Sequence, residues 1–357
     1  MDIKAAVTPK TGAPFEITDL KLPEPGAKEI LIKVVASGIC HTDVSGRDTG
    51  MVDPPAVLGH EGAGVVEEIG SDVTEFQKGD HVVVSFASCG ECDNCSSDHP
   101  AHCRNYAKLN LSSHIDEETN ELVSGFFGQS SFATYSRVNQ RNAVKIDKDF
   151  DLALAAPLGC GLQTGASTVL NVLKPESGSS IAVFGVGSVG LSGIVAAKIA
   201  GCENIIAVDL HDNRLELAKE LGATATIKSD KDVDIAGKIK EITEAGVQNI
   251  LDTTGVDMVI EQAILSLDTF GKLATAVTDD GFKIPLEILA LGGNSIIGTS
   301  QGDANPQKFI PEMISYYQNG KFPYDRMVKY YEFDQINQAF EESENGSVIK
   351  PILKINE

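Results

Sequence analysis

Ser180-Ile181-Ala182-Val183-Phe184-Gly185-Val186-Gly187-Ser188-Val189-Gly190 is the stretch from which the fold can be read. Five residues of buried-strand character run into a G-x-G-x-x-G turn. A helix of small residues then spans about 188–201, and a second apolar strand, 205–208, ends at Asp209. A glycine-rich turn alone is a weak signal, but one that leaves a strand, opens a helix and is followed by an acidic residue after the next strand is a dinucleotide fingerprint. Gly185 permits the tight turn. Gly187 lets a pyrophosphate approach the backbone, and Gly190 lets helix and strand pack closely. The helix N-terminus offers free N–H groups and a positive dipole end to phosphates. Asp209 would accept hydrogen bonds from adenosine ribose hydroxyls and repel a 2′-phosphate, which favours NAD over NADP. The alternative, that Asp209 merely caps the next helix, is outweighed by the assembled fingerprint. Arg214, five residues on, either reaches the ribose or is a solvated helix-face arginine.

Outward from this stretch, helical segments alternate with apolar strands at 249–253, 272–276 and 295–297. That alternation predicts a doubly wound parallel sheet covered on both faces, in an α/β protein. The first 150 residues differ. Short Val/Ile/Ala runs at 4–7, 31–36, 63–69 and 81–85 are punctuated by Gly and Pro, as at Pro23-Glu24-Pro25-Gly26 and Asp53-Pro54-Pro55. They predict a compact, barrel-like β domain. The polar segment 110–123 reads as a loop. After Gly298 come short pieces and two amphipathic helices, about 306–319 and 334–345.

At 357 residues the chain has room for about two domains of common size. Hydrophobic residues make up 42% and charged residues 22%, an ordinary balance for a globular protein. No apolar run approaches the roughly 20 residues of a membrane span. Met1-Asp2-Ile3-Lys4 lacks a signal-peptide pattern, so the cytoplasm is the expected location. The net charge of −22 argues against a nucleic-acid partner. It is spread along the chain, which reads as solubility before salt adaptation.

Four of the seven cysteines, Cys89, Cys92, Cys95 and Cys103, are spaced C-x2-C-x2-C-x7-C. In a reducing compartment such a cluster binds metal more readily than it forms disulfides. Four thiolates close a tetrahedral Zn²⁺ site and leave no position for substrate, so the lobe at about 89–103 reads as structural. His99 and His102 flank Cys103 but are not needed. Three other residues stand in unusual surroundings: Cys40 before His41-Thr42-Asp43, His60 within Gly59-His60-Glu61-Gly62-Ala63-Gly64, and Cys160 within Pro157-Leu158-Gly159-Cys160-Gly161. Two thiolates and an imidazole make a zinc site with an open fourth position, the catalytic pattern. Taken singly, each is as well read as a buried thiol or a satisfied core histidine, and ligands about 20 and 100 residues apart do not establish a triad by spacing.

As an ordered set, 59–66, the four-cysteine lobe, Leu158-Gly159-Cys160-Gly161 and the Gly185–Gly190 fingerprint resemble the zinc-dependent medium-chain dehydrogenase/reductase superfamily over nearly the whole chain. The blocks 85–90, 126–133, 159–165 and Phe309-Ile310-Pro311 resemble the bacterial aryl-alcohol dehydrogenases. The resemblance implies a GroES-like β-barrel catalytic domain, 1–161 and 300–357, around a Rossmann NAD-binding domain, 162–299. It implies Cys40, His60 and Cys160 as catalytic zinc ligands, Glu61 as an alternative ligand, and Asp43 as the carboxylate that orients His60. Thr42 matches the hydroxyl that takes the alcohol proton, Phe86 the substrate pocket and Thr164 a position near the nicotinamide. His41 stands where many members carry a pyrophosphate-binding arginine, and Lys350 either matches a cation that the family often has near the pyrophosphate or is a solvated lysine. Many members end a proton relay on a histidine five residues after the first zinc cysteine; here that residue is Ser45, so the relay exits to water or through His41.

The resulting expectation is reversible oxidation of a primary and, by subgroup resemblance, aromatic alcohol to the aldehyde with hydride transfer to NAD, two zinc ions per chain, and a homo-oligomer. The same chemistry on an aliphatic alcohol, a polyol or a formaldehyde–thiol adduct is the nearest rival. A non-catalytic NAD-binding protein and a zinc-ribbon nucleic-acid binder are rivals of other classes; the acidic charge counts against the last.

Overall fold

The computed structural model describes residues 1–277 and 284–356. The chain divides into two compact units, one of Met1–Cys160, Asn305–Ile314 and Asp325–Glu357, the other of Gly161–Ala304 and Ser315–Tyr324.

The first unit is built on the strand Glu29–Gly38, which is buried on both faces. Ile30 and Ile32 point into one apolar cluster with Val66, Val82, Val84 and Val138. Leu31, on the opposite face, packs with Ile3, Ala5, Val7, Leu20 and Val57. Side chains that alternate across a strand thus fill two cores at once, each large aliphatic contributing about 1.5–3 kcal/mol by burial. Gly62–Ile69 pairs antiparallel with this strand, with register shifts between Leu31/Ile32 and Val34/Ala36. At Gly64 a Cβ would stand 2.1 Å from the Lys33 carbonyl oxygen, so only glycine admits this approach. The far edge of Glu29–Gly38 is paired by Lys350–Lys354, with Ile352 opposite Gly38 and Leu353 opposite Ser37. A second, five-stranded sheet contains Asp2–Thr8 and Glu16–Lys21. It also holds the hairpin His114–Asp116 and Glu121–Ser124, within the segment expected to be a loop. The polar sequence misleads there because these are short strands at the sheet margin. They bury only Ile115 and Leu122; His114 and Val123 are exposed and the others half-buried.

The second unit is a six-stranded parallel sheet in the order Ala225–Lys228, Asn204–Asp209, Ser180–Phe184, Val247–Asp252, Leu267–Thr275, Ser295–Gly298. The first strand lies inside, and the chain winds outward to one side and then to the other, the doubly wound arrangement. All five residues of Ser180–Phe184 are buried, as a central strand requires. The helix Ser188–Ala200 rides directly on the fingerprint. No helix among the described residues is long and apolar enough to cross a membrane.

One fully buried side chain fixes how the cysteine lobe leaves the first unit. Asn110 Oδ1 accepts from the Ala87 N–H (2.7 Å), while its Nδ2 donates to the carbonyls of Ala87 (2.9 Å) and Tyr106 (2.8 Å). Asn110→Ala strands these backbone groups away from water, and each buried unsatisfied group costs about 1–3 kcal/mol. Thermal unfolding of that variant should begin several degrees below wild type; an unchanged midpoint would show that the lobe's exit is held by other contacts.

Two candidate metal centres and a dinucleotide fingerprint

Three separate pieces of backbone bring the first centre together. Cys40 is the N-cap of the helix His41–Asp48, and Asp43, one turn in, accepts from the Cys40 N–H at 2.9 Å. His60 follows Gly59, whose φ of +92° is open to glycine, and whose Cβ would lie 2.5 Å from the Phe132 nitrogen. Cys160 ends the 3₁₀ turn Ala156–Gly159, where Gly159 lies against the Val84 carbonyl so closely that a Cβ would be 2.2 Å away. The result places one ligand atom each of Cys40, His60, Glu61 and Cys160 within 4.8 Å of one another.

Asp43 organises this pocket. It is fully buried, and its Oδ1 accepts from His60 Nδ1 (2.8 Å) and from the Gly59 N–H (3.1 Å). The proton is thereby held on Nδ1, which leaves the Nε2 lone pair free. Nε2 is buried with no hydrogen-bond partner. An orphaned imidazole nitrogen facing two thiols is the donor set of a zinc site, so the residues fit the metal. Electrostatics agree. The Cys160 thiol, with help from His60 and Lys350, drives the Cys40 pKa well below that of an ordinary thiol, while the same hydrogen bond and burial push Cys160 well above it. Burial opposes a charge on His60, but Asp43 and Cys40 outweigh it and raise its pKa well above the usual value. The protons so retained are those a divalent cation displaces on binding.

Glu61 is engaged from its other side. Lys350 Nζ contacts both carboxylate oxygens (3.0 and 2.9 Å) and donates to the Ile39 carbonyl (3.0 Å), with both side chains almost fully buried. Burial disfavours a charged lysine, but Glu61, Cys40 and Cys160 more than compensate and raise its pKa. Lys350 is therefore neither solvated nor free. Gln129, also buried, donates to the His60 carbonyl (2.9 Å) and accepts from the Gly62 N–H (3.1 Å), clamping the backbone on both sides of Glu61. Thr42 Oγ1 lies 3.8 Å from Cys40 Sγ, while His41 is exposed and Ser45 half-buried. Phe127 stacks on the His60 ring (4.5 Å, 27°) and Phe126 meets it edge-on (5.6 Å). Tyr106 lies 6.3 Å from Phe127 and 5.9 Å from Phe86, so aromatic rings run from His60 to Phe86. Neither the clamp of Gln129 nor the stacking of Phe127 is marked by any local pattern in the sequence. Both residues fall in the block 126–133, whose likeness to the aryl-alcohol dehydrogenases is the one signal that points at them.

The second centre gathers the Sγ atoms of Cys89, Cys92, Cys95 and Cys103 within 4.8 Å. Backbone N–H groups point at the sulfurs: Cys92 to Cys89 (3.4 Å), and Cys89 and Asn105 to Cys103 (3.3 and 3.4 Å). Such donors favour thiolates: the Glu91 and Cys92 N–H groups bring the Cys89 pKa down to about 6, whereas burial pushes Cys95 up to about 12. Four convergent thiols fit one tetrahedral zinc; His99 and His102 lie outside the set.

In the second unit Gly185 has φ +80°, and a Cβ on Gly190 would lie 1.9 Å from the Gly185 oxygen. A Cβ on Gly187 meets nothing within 4 Å, so the face offered to a pyrophosphate is open. Asp209 accepts from the N–H groups of Val186 (2.8 Å) and His211 (2.9 Å), with carboxylate lone pairs to spare. Arg214 Nη1 approaches it to 3.8 Å, and Arg214 Nε is buried without a partner. Thr164 is buried in the helix Gly161–Ser167.

A β domain with a thiol–imidazole metal pocket and a closed four-cysteine lobe, in one chain with a dinucleotide-binding sheet, defines a metal- and dinucleotide-dependent oxidoreductase. The family profile of the alcohol dehydrogenase GroES-like domain matches residues 26–148, and that of zinc-binding dehydrogenases matches residues 188–318. A geraniol dehydrogenase of Castellaniella defragrans is 39% identical, with 98% of this chain and 97% of the relative covered. The crystal structure of benzyl alcohol dehydrogenase from Acinetobacter calcoaceticus superposes with a TM-score of 0.96 at 47% identity, both chains covered completely. An alcohol dehydrogenase zinc-binding domain protein from Burkholderia ambifaria matches equally well, TM-score 0.96 at 43% identity over the whole of both chains. The chain belongs to the zinc-dependent alcohol dehydrogenase family, whose cofactors are zinc and NAD.

The buried ion pair yields a stability prediction. Lys350→Met leaves Glu61 buried and uncompensated, at a cost of about 3–5 kcal/mol. The double variant Glu61→Leu/Lys350→Met removes both charges and should recover most of the lost thermal midpoint. A double variant no more stable than Lys350→Met alone would show that the charges do not act as a pair.

Proposed function

We propose that this enzyme reversibly oxidises a primary alcohol whose carbinol carbon adjoins an aromatic ring, giving the aldehyde. The observation that carries the aromatic preference is the 47% identity, over full length, to a benzyl alcohol dehydrogenase. The run of rings from Phe127 through Tyr106 to Phe86 beside His60 supports it. A second reading has its own support: geraniol, named for a 39% identical relative, is an allylic alcohol, so the common feature is an unsaturated carbon next to the carbinol.

When bound, zinc supplies a Lewis acid for the alcohol oxygen and NAD the hydride acceptor. Cys40, His60 and Cys160 would hold the catalytic ion, and the four lobe cysteines a structural one. Asp43 keeps a His60 proton on Nδ1, so Nε2 is the nitrogen that gives up its proton and turns its lone pair to the metal. Thr42 Oγ1 takes the substrate hydroxyl proton and releases its own to water or by way of His41, since Ser45 is a poor terminal base near neutral pH. Lys350 draws Glu61 back from the pocket and offsets the charge of the thiolates; Glu61 remains an alternative ligand if that pair opens. Gly185, Gly187 and Gly190 leave room for the pyrophosphate, Thr164 stands near the nicotinamide, and Asp209 selects an unphosphorylated ribose that Arg214 also reaches. Phe86 flanks the substrate ring.

We also propose a cytoplasmic homo-oligomer. Among the described residues Ser295–Gly298 is the edge of its sheet, and in the same unit Phe270, Leu286 and Leu291 are 82, 71 and 81% exposed. An exposed strand edge with a large apolar patch needs a cover, and a second copy provides one. Light scattering at micromolar concentration should give a dimer or larger; a monomer would refute this.

Kinetics with benzyl alcohol, geraniol, cyclohexylmethanol and ethanol, with zinc measured on the same sample, tests the reaction. Benzyl alcohol should exceed ethanol and cyclohexylmethanol in kcat/KM by at least tenfold, about 1.4 kcal/mol. Equal values would sink the aromatic reading, and geraniol above benzyl alcohol would select the allylic one. The protein should carry about two zinc ions per chain. Cys40→Ser should abolish turnover while the lobe zinc stays. One zinc with no turnover on any alcohol would point to a non-catalytic NAD-binding protein.

A further inference from the structure

Arg104, Lys308 and Arg141 all bear on the cysteine lobe, and the first two are already paired. Arg104 contacts Asp93 at 2.7 Å and Lys308 contacts Asp98 at 2.5 Å. Arg141 makes hydrogen bonds through its backbone alone: its N–H donates to Asn139 Oδ1 (3.1 Å) and its carbonyl accepts from Gln307 Nε2 (2.6 Å). Its guanidinium has no carboxylate partner among the described residues.

That guanidinium lies over Gly90, between the first two lobe cysteines. A Cβ built on Gly90 would stand 2.4 Å from the guanidinium carbon and 2.5 and 2.7 Å from Nε and Nη1. The backbone of Gly90, at φ +78°, and the absence of a side chain there let a flat cation rest on the knuckle. Anchored at both ends of its peptide unit, Arg141 lines, with Ser88 and Cys89, a cavity of about 590 Å³.

Four thiolates around one divalent cation leave two net negative charges, and Glu91 and Asp93 add more. We propose that Arg141 is the counter-charge of the loaded lobe, a positioning residue that slows loss of the structural zinc. The inference rests on reading the lobe as a tetrathiolate zinc site. A guanidinium is well suited to this position, being planar, always charged and weakly hydrated, so it can lie on backbone at little desolvation cost. Because Arg141 is exposed to solvent, its effect must be screened by salt.

The experiment follows the rate at which a chelating dye, 4-(2-pyridylazo)resorcinol, draws zinc from the purified enzyme. The lobe phase is identified as the one that Cys95→Ser lacks. At low salt Arg141→Gln should speed that phase about tenfold, and Arg141→Lys should recover part of the difference. In 1 M NaCl, where the Debye length is about 3 Å, wild type and Arg141→Gln should converge to within about twofold. Arg104→Gln, whose charge already serves Asp93, should change the phase by less than about twofold. The thermal midpoint of metal-free Arg141→Gln should equal that of metal-free wild type. Wild-type release rates in Arg141→Gln at low salt, or an acceleration that persists undiminished in 1 M NaCl, would overturn the counter-charge role. A wild-type enzyme whose single zinc is lost in Cys40→Ser and retained in Cys95→Ser would overturn the lobe reading itself, and the proposal with it.

Discussion

A single buried carboxylate ties the reactive pocket together. Asp43 accepts from the Cys40 N–H, the Gly59 N–H and His60 Nδ1 at once. Two of the three thiol and imidazole donors, 20 residues apart in sequence, are thus held by one side chain on the first turn of one helix. A buried carboxylate is costly unless its lone pairs are filled. Here three N–H donors fill them, so the stability of the helix cap, the glycine bend at Gly59 and the orientation of the imidazole depend on one another. Moving any one of them leaves a charge without its donors.

Around that anchor the pocket balances charge by pairing and packing. Lys350 neutralises Glu61 within hydrogen-bonding distance, and Gln129 pins the chain on either side of it. Phe127 holds the imidazole plane from a left-handed backbone conformation (φ +53°), a strain of about 1–3 kcal/mol that the surrounding aromatic cluster sustains. The cysteine lobe follows a different logic: three of its four cysteines are only half-buried, and backbone N–H groups donate to its sulfurs.

Much of this was legible in the sequence where the information is local. The fingerprint is read in eleven consecutive residues because strand, turn and helix there are neighbours along the chain, and Gly185 and Gly190 have the close approaches that their spacing implies. The four-cysteine lobe is legible for the same reason. The Cys40–His60–Cys160 grouping was not, since composition and spacing left each residue well explained as ordinary core; only likeness to a family drew them together. Lys350 and Glu61, 289 residues apart, carry no sequence mark of their partnership. The polar stretch 110–123 concealed a hairpin because its two strands bury one aliphatic residue each, too few to leave an alternating pattern.

The strand Lys350–Lys354 has a consequence for how the molecule comes into being. It completes the sheet begun at Glu29–Gly38 and delivers the lysine that closes the ion pair. During synthesis the nucleotide-binding sheet is therefore finished while the unit that started first still lacks the strands Val328–Glu332 and Lys350–Lys354 and the lysine partner of Glu61. The unit begun first is thus the one completed second, because the lysine that closes its ion pair follows the other unit's sheet in the chain. Loop closure across some 300 residues is slow compared with the local winding of a strand–helix unit. Completion of the reactive pocket thus waits on a strand that follows the entire nucleotide-binding sheet in the chain.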